Sequence, residues 1–93
     1  MKLRVAVQMD PLDRINIEGD STFAIMLSGE ARGHALYYYT AEDLSFAEGR
    51  LWTMAWPVTV QRVAGDHFRL GEPEILDLGR DVDVVLMRQD PPF

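Results

Sequence analysis

Val84-Val85-Leu86-Met87 is a short apolar run that passes without a break into Arg88-Gln89-Asp90-Pro91-Pro92-Phe93. Four consecutive apolar residues, two of them β-branched, suit a strand covered on both faces, the situation of a central strand in a parallel sheet. Arg88 and Asp90 then fall at its carboxyl end, which is the edge where open α/β sheets bind ligands. Paired prolines can neither continue a central strand nor enter a helix interior, and each pushes its predecessor toward extended geometry. The backbone should therefore leave the sheet as a stiff segment that narrows the positions open to Arg88. The same residues would equally serve a plain strand end leading into a linker.

The start of the chain repeats the arrangement. Leu3, Val5, Val7 and Met9 alternate with Arg4, Ala6 and Gln8, predicting a first strand that stops at Met9-Asp10-Pro11. The polar residues from Leu12 to Gly19, among them Asp13, Arg14, Asn16 and Glu18, form either a solvated connection or a substrate loop. Asp20-Ser21 offers short acceptor side chains to the first free N–H groups of a helix. Phe23, Met26, Leu27 and Ala31 keep the three-and-four spacing of a buried stripe, and Gly33 supplies a left-handed stop. The helix is expected over Ser21 to Arg32. Its amino terminus would also suit an anion if it faced the ligand edge. Ala35 to Tyr39 is a second strand, so strand, helix and strand make a right-handed βαβ unit. Tyr37, Tyr38 and Tyr39 read as half-buried strand residues.

From Ser45 the pattern becomes that of antiparallel ribbon. Ser45 to Ala47, a Glu48-Gly49 turn, Leu51 to Trp56, Val58 to Val63, an Ala64-Gly65-Asp66 turn and His67 to Leu70 succeed one another. Pro57 should impose a bulge or an edge position. Trp52 and Trp56 share one face by their even spacing. Glu72 to Asp81 reads as a polar connection with a short helix or turn. The fold class expected from these elements is α/β: a Rossmann-like three-layer domain with a mostly parallel sheet and an antiparallel ribbon insertion.

Several functions are disfavoured by composition. Ninety-three residues make one domain at most, and a net charge of -6 leaves no basic footprint for nucleic acid or for an anionic membrane. Without cysteine there is no disulfide, no thiolate nucleophile and no cysteine-based zinc site. His34 and His67 lack metal-ligand spacing. Gln8 and Asp10 cut the opening apolar run too short for a signal peptide, and no segment approaches the roughly 20 apolar residues of a membrane span. The cytoplasm is the expected compartment. No glycine-rich phosphate loop appears.

Four blocks, Val7-Gln8-Met9-Asp10-Pro11, Ile15-Asn16-Ile17, Asp20-Ser21-Thr22-Phe23-Ala24 and Leu86-Met87-Arg88-Gln89-Asp90-Pro91-Pro92-Phe93, together resemble the amino-terminal domain of the prokaryotic glutathione synthetase family. The Arg32-Gly33-His34 step and Asp81 to Val84 also fit. The resemblance covers the whole chain, tightly at both ends and loosely from Phe46 to Leu76.

It implies a fold of the pre-ATP-grasp type, with residues 1–93 as an amino-terminal substrate-side domain and the central and ATP-grasp domains lying outside this chain. The implied activity of the intact protein is ATP- and Mg2+-dependent ligation of γ-glutamylcysteine to glycine through an acyl phosphate. The 93-residue chain alone is expected to be inactive, with no catalytic, cofactor or metal residue of its own, and homo-oligomeric. In the resembling domain the carboxyl-edge loops close over the dipeptide. Arg88 would clamp a substrate carboxylate and Asp90 would orient Arg88 or the substrate ammonium, with Asp10, Asn16 and Ser21 as further substrate-binding candidates. Gln89 departs from the pattern where a lysine is also familiar. The alternatives are the amino-terminal domain of another ATP-grasp amino acid or peptide ligase, or a free-standing oligomerisation or binding module.

Overall fold

In the computed structural model, residues 2–14, 21–63 and 65–88 are described. They form β1 (Arg4–Gln8), α1 (Ser21–Ala31), β2 (Ala35–Tyr39), β3 (Leu44–Ala47), β4 (Arg50–Val60), β5 (Phe68–Leu70), β6 (Glu74–Asp77) and β7 (Val84–Met87), with 3-10 turns at Leu12–Arg14 and Ala41–Asp43. Alternation makes β1, and its position makes it central: Val5 to Gln8 are all buried. β2 lies parallel on one side, Arg4 opposite Ala35, and β7 parallel on the other, Val5 opposite Val84. Asp83, just before β7, holds Arg4 twice, its N–H donating to the Arg4 carbonyl at 2.8 Å while its side-chain carboxylate accepts from the Arg4 N–H at 2.8 Å.

The helix that joins β1 to β2 ends at Ala31, one residue short of the expected stop. Gly33 takes φ 81°, its N–H donates to Glu30, and the His34 N–H reaches back to Gly29, so the last carbonyls are satisfied. Thr22, Phe23 and Met26 are the buried positions, whereas Ala31, expected in the stripe, is exposed.

The sheet is mixed, not mostly parallel. Among the described residues only the pairings of β1 with β2 and with β7 are parallel, and those of β4 with β2, β3, β5 and β6 are antiparallel. The expectation failed because the ribbon does not stand apart. Its longest strand, β4, returns directly beside β2, with Leu36 opposite Val58 and Tyr38 opposite Trp56.

Pro57 explains how one strand serves four partners. In an antiparallel pair a residue's N–H and C=O point to the same side. The Pro57 carbonyl accepts from Gly71, the Gln61 N–H donates to His67, and the Leu51 carbonyl accepts from Leu78. These odd-numbered residues all face the edge that carries β5 and β6, so β2 and β3 line the other edge. Pro57, whose nitrogen has no proton to give, sits between the end of β5 at Leu70 and the start of β6 at Glu74. It requires no bulge.

A strand at Glu74–Asp77 replaces the expected polar connection. Its apolar content is only Ile75 and Leu76, too little to read as a strand, but Leu76 packs with Ala55 beneath the sheet while Ile75 stays exposed. The core accordingly has two parts. Val5, Val7, Phe23, Met26, Leu36, Tyr38, Val58 and Val60 pack on the α1 side, whereas Ala6, Tyr37, Tyr39, Ala55 and Leu76 pack on the other.

Candidate functional site

The carboxyl ends of β1 and β7 meet at one rim. Gln8 is opposite Met87, and the Arg88 N–H extends the ladder by donating to the Gln8 carbonyl at 2.8 Å. Alternation along β7 turns Leu86 to the α1 side, and Arg88 continues that phase. Its guanidinium crosses to the first turn of α1, where Nη2 donates to Ser21 Oγ at 2.9 Å and Nε donates to Thr22 Oγ1 at 3.4 Å.

This placement is electrostatically unusual. A helix amino terminus carries a partial positive charge and favours anions, yet the side chain brought to it is a cation. Both acceptors are neutral hydroxyls, and among the described residues no carboxylate forms an ion pair with Arg88. A guanidinium and a helix terminus directed at one point would together suit a carboxylate or another small anion. Arg88 is exposed, so such a group could reach it.

Asp10 lies two residues past β1 on the same rim and is half-buried. The Met9 N–H donates to the Tyr39 carbonyl at 3.2 Å, so the ladder holds the chain up to the residue before Asp10. Of the residues singled out in the sequence, Arg88, Ser21 and Asp10 are thus brought to one edge. Asn16 and Asp90 lie outside the described residues, as do Asp20 and Gln89. Thr22 was missed. Its only signal was adjacency to Ser21, and its burial, which aims the hydroxyl at Arg88, is a tertiary property.

A second concavity, of about 630 Å³, opens on the sheet face away from α1, lined by Gln8, Tyr39, Leu44, Arg50, Asp77, Arg80, Val85 and Met87. Burial pushes the Tyr39 phenol above its ordinary pKa. Its lining is mainly apolar, and its charges are already engaged in part, since Arg50 pairs with Asp77 at 3.5 Å. The rim has the better-placed charge. Among the described residues, no three His, Asp or Glu side chains come together to hold a metal ion, and no helix is long and apolar enough to cross a membrane.

Comparison with known proteins bears on the same residues. Residues 3–93 match the family model described as prokaryotic glutathione synthetase, N-terminal domain. The chain is 54% identical over 93 residues to a glutathione synthetase of Rhodopseudomonas palustris and 56% identical over 93 residues to that of Bradyrhizobium diazoefficiens, covering all of this chain and 29% of each relative. A glutathione synthetase of Xylella fastidiosa is 41% identical over 92 residues, again 29% of that protein. The chain therefore spans under a third of the length of the curated relatives it matches.

Proposed function

We propose, given that the chain belongs to the prokaryotic glutathione synthetase N-terminal domain family, that it forms the substrate-side domain of an ATP-dependent ligase joining γ-glutamylcysteine to glycine. In this reading residues 1–93 are a Rossmann-like unit of the pre-ATP-grasp type whose carboxyl rim is one wall of a dipeptide cleft. The observation that carries it is the delivery of the Arg88 guanidinium onto the first turn of α1 with only neutral hydroxyls as described partners. A dipeptide carboxylate would supply a negative charge to this guanidinium. Asp10, on the same rim, has the sign needed for the ammonium end, and Asn16 and Asp90 would complete the polar lining.

Among the described residues no three His, Asp or Glu side chains come together to hold a metal ion, and the sequence has no glycine-rich phosphate loop. By the family resemblance ATP and Mg2+ are assigned to the parts of the intact ligase outside these residues, and the isolated chain is expected to be inactive. A cytoplasmic, homo-oligomeric enzyme is the form in which we expect it to work.

A charge-assisted bond from Arg88 to a carboxylate contributes about 1.5–3 kcal/mol, or roughly one to two decades of affinity. Exposure places Arg88 toward the lower figure. In the intact ligase Arg88→Ala should raise the KM for γ-glutamylcysteine about tenfold, the equivalent of ~1.4 kcal/mol, with the KM for ATP unaffected. An unchanged dipeptide KM would remove Arg88 from the site.

A further inference from the structure

His67 belongs to the antiparallel ribbon, far in sequence from the rim, and its ring reaches both halves of it. Nε2 lies 2.7 Å from the Leu12 carbonyl, so the nitrogen carries the proton and donates. Phe23 meets the same ring edge-on, at 5.7 Å between centroids and 71° between planes, while Phe68 contacts it at 4.8 Å and 67°. Phe23 directly follows the Ser21 and Thr22 hydroxyls that hold Arg88. Leu12 stands two residues after Asp10.

Leu12 is fixed unusually well for a residue just past a strand end. Its side chain is 1% exposed, its N–H donates to Tyr38 Oη at 3.3 Å, and its C=O accepts from His67. On the other side of Asp10 the Met9 N–H is held by Tyr39. Only Asp10 and Pro11 separate the two anchors, and the ring of Pro11 fixes its own φ. The position of Asp10 is thus framed from both sides.

We propose that His67 and Tyr38 are positioning residues for the dipeptide site, clamping Leu12 so that Asp10 is held in register with Arg88 on α1. This deepens the reading of the rim as the dipeptide wall and rests on it. The ribbon then buttresses the site without contacting substrate: its histidine links the loop after β1 to the first turn of α1.

The test is steady-state kinetics of the intact ligase. His67→Phe keeps an aromatic ring between Phe23 and Phe68 but has no proton to donate. It should raise the KM for γ-glutamylcysteine about fivefold, the scale of one lost neutral hydrogen bond, with kcat and the KM for ATP changed less than about twofold. His67→Gln, which restores a donor at similar reach, should bring the dipeptide KM back to within about twofold of the parent. Tyr38→Phe removes a single oxygen, should act in the same direction, and carries the test if His67→Phe does not fold. A purely architectural histidine would lower the melting temperature and the active fraction without selecting one substrate, and glutamine would not rescue it. An unchanged dipeptide KM in His67→Phe, or in Tyr38→Phe, alongside a raised KM in Arg88→Ala, overturns the clamp and leaves the rim standing. An unchanged KM in Arg88→Ala overturns the rim, and the clamp with it.

Discussion

Asp77 shows how unequal two contacts of one side chain can be. Its carboxylate pairs with Arg50 at 3.5 Å and accepts the Gly79 N–H at 2.9 Å. The arginine is half exposed, and a long ion pair of that kind contributes about 0–1 kcal/mol. The bond to Gly79 is part-buried and closes the turn after β6. Losing it removes a hydrogen bond to a charged acceptor, worth about 1.5–3 kcal/mol. Chemical denaturation should therefore find Asp77→Ala destabilised by about 2 kcal/mol and Asp77→Asn by under about 1 kcal/mol, because an amide oxygen still accepts from Gly79. Equal losses would show that the Arg50 pair dominates. None of this was legible while Glu72 to Asp81 read as a polar connection. Arg88 and Asp10 stood out because a charged residue just after an apolar run marks a strand end, and strand ends in such sheets line an edge. Thr22 and His67 were hidden for the opposite reason: what each side chain meets depends on how α1 and the ribbon pack, which no local spacing records.

At the level of elements, β1, α1 and β2 were readable because their periods of 2 and 3.6 are clean and their breakers, Pro11 and Gly33, sit at the ends; β7 was readable as a strand from its apolar run, but it is not the central, doubly covered strand expected, since among the described residues it pairs only with β1 and Val85 and Met87 are exposed. The βαβ unit also gave the parallel pairing of β1 with β2, but the partners of the later strands were not readable. Alternation identifies a strand but is silent on what pairs with it, which is why β4 appeared to belong to a separate ribbon and β6 to no sheet at all. The turn between β3 and β4 carries its own signature. Ala47 pairs with Arg50, so Glu48 and Gly49 form a two-residue loop with φ 55° and 76°. Both central residues of such a turn need positive φ, which glycine accepts and asparagine tolerates but glutamate resists. Glu48→Asn should stabilise the chain by about 0.5–1 kcal/mol, raising the melting temperature by a few degrees. Calorimetry showing no rise would mean that the turn strain is relieved elsewhere. At the opposite end of β4 the helix intervenes: the Glu30 carboxylate accepts the Val60 N–H at 2.7 Å, capping an edge where β2 has run out.

For the whole molecule the informative surface is around β7. Among the described residues it pairs only with β1, leaving one edge open, and Met87 is 72% exposed beside it. Open apolar edges promote association, and a lysine there opposes it. The 93-residue chain should show concentration-dependent self-association by light scattering that Met87→Lys reduces, with stability altered by no more than about 0.5 kcal/mol. A chain that stays monomeric throughout would contradict this. The central place of β1 also dictates a schedule. The strand made first gains one neighbour early, β2, and must wait for the other until nearly the entire stretch through β7 has left the ribosome, an interval on the order of several seconds at typical synthesis rates. Until then Arg88 has no ladder to join, and the half-finished sheet keeps Gln8 and its neighbours available to any passing strand. Pairing of β1 with β7 is in this sense the latch of the domain, so the rim that carries Arg88 exists only once the sheet has closed around β1.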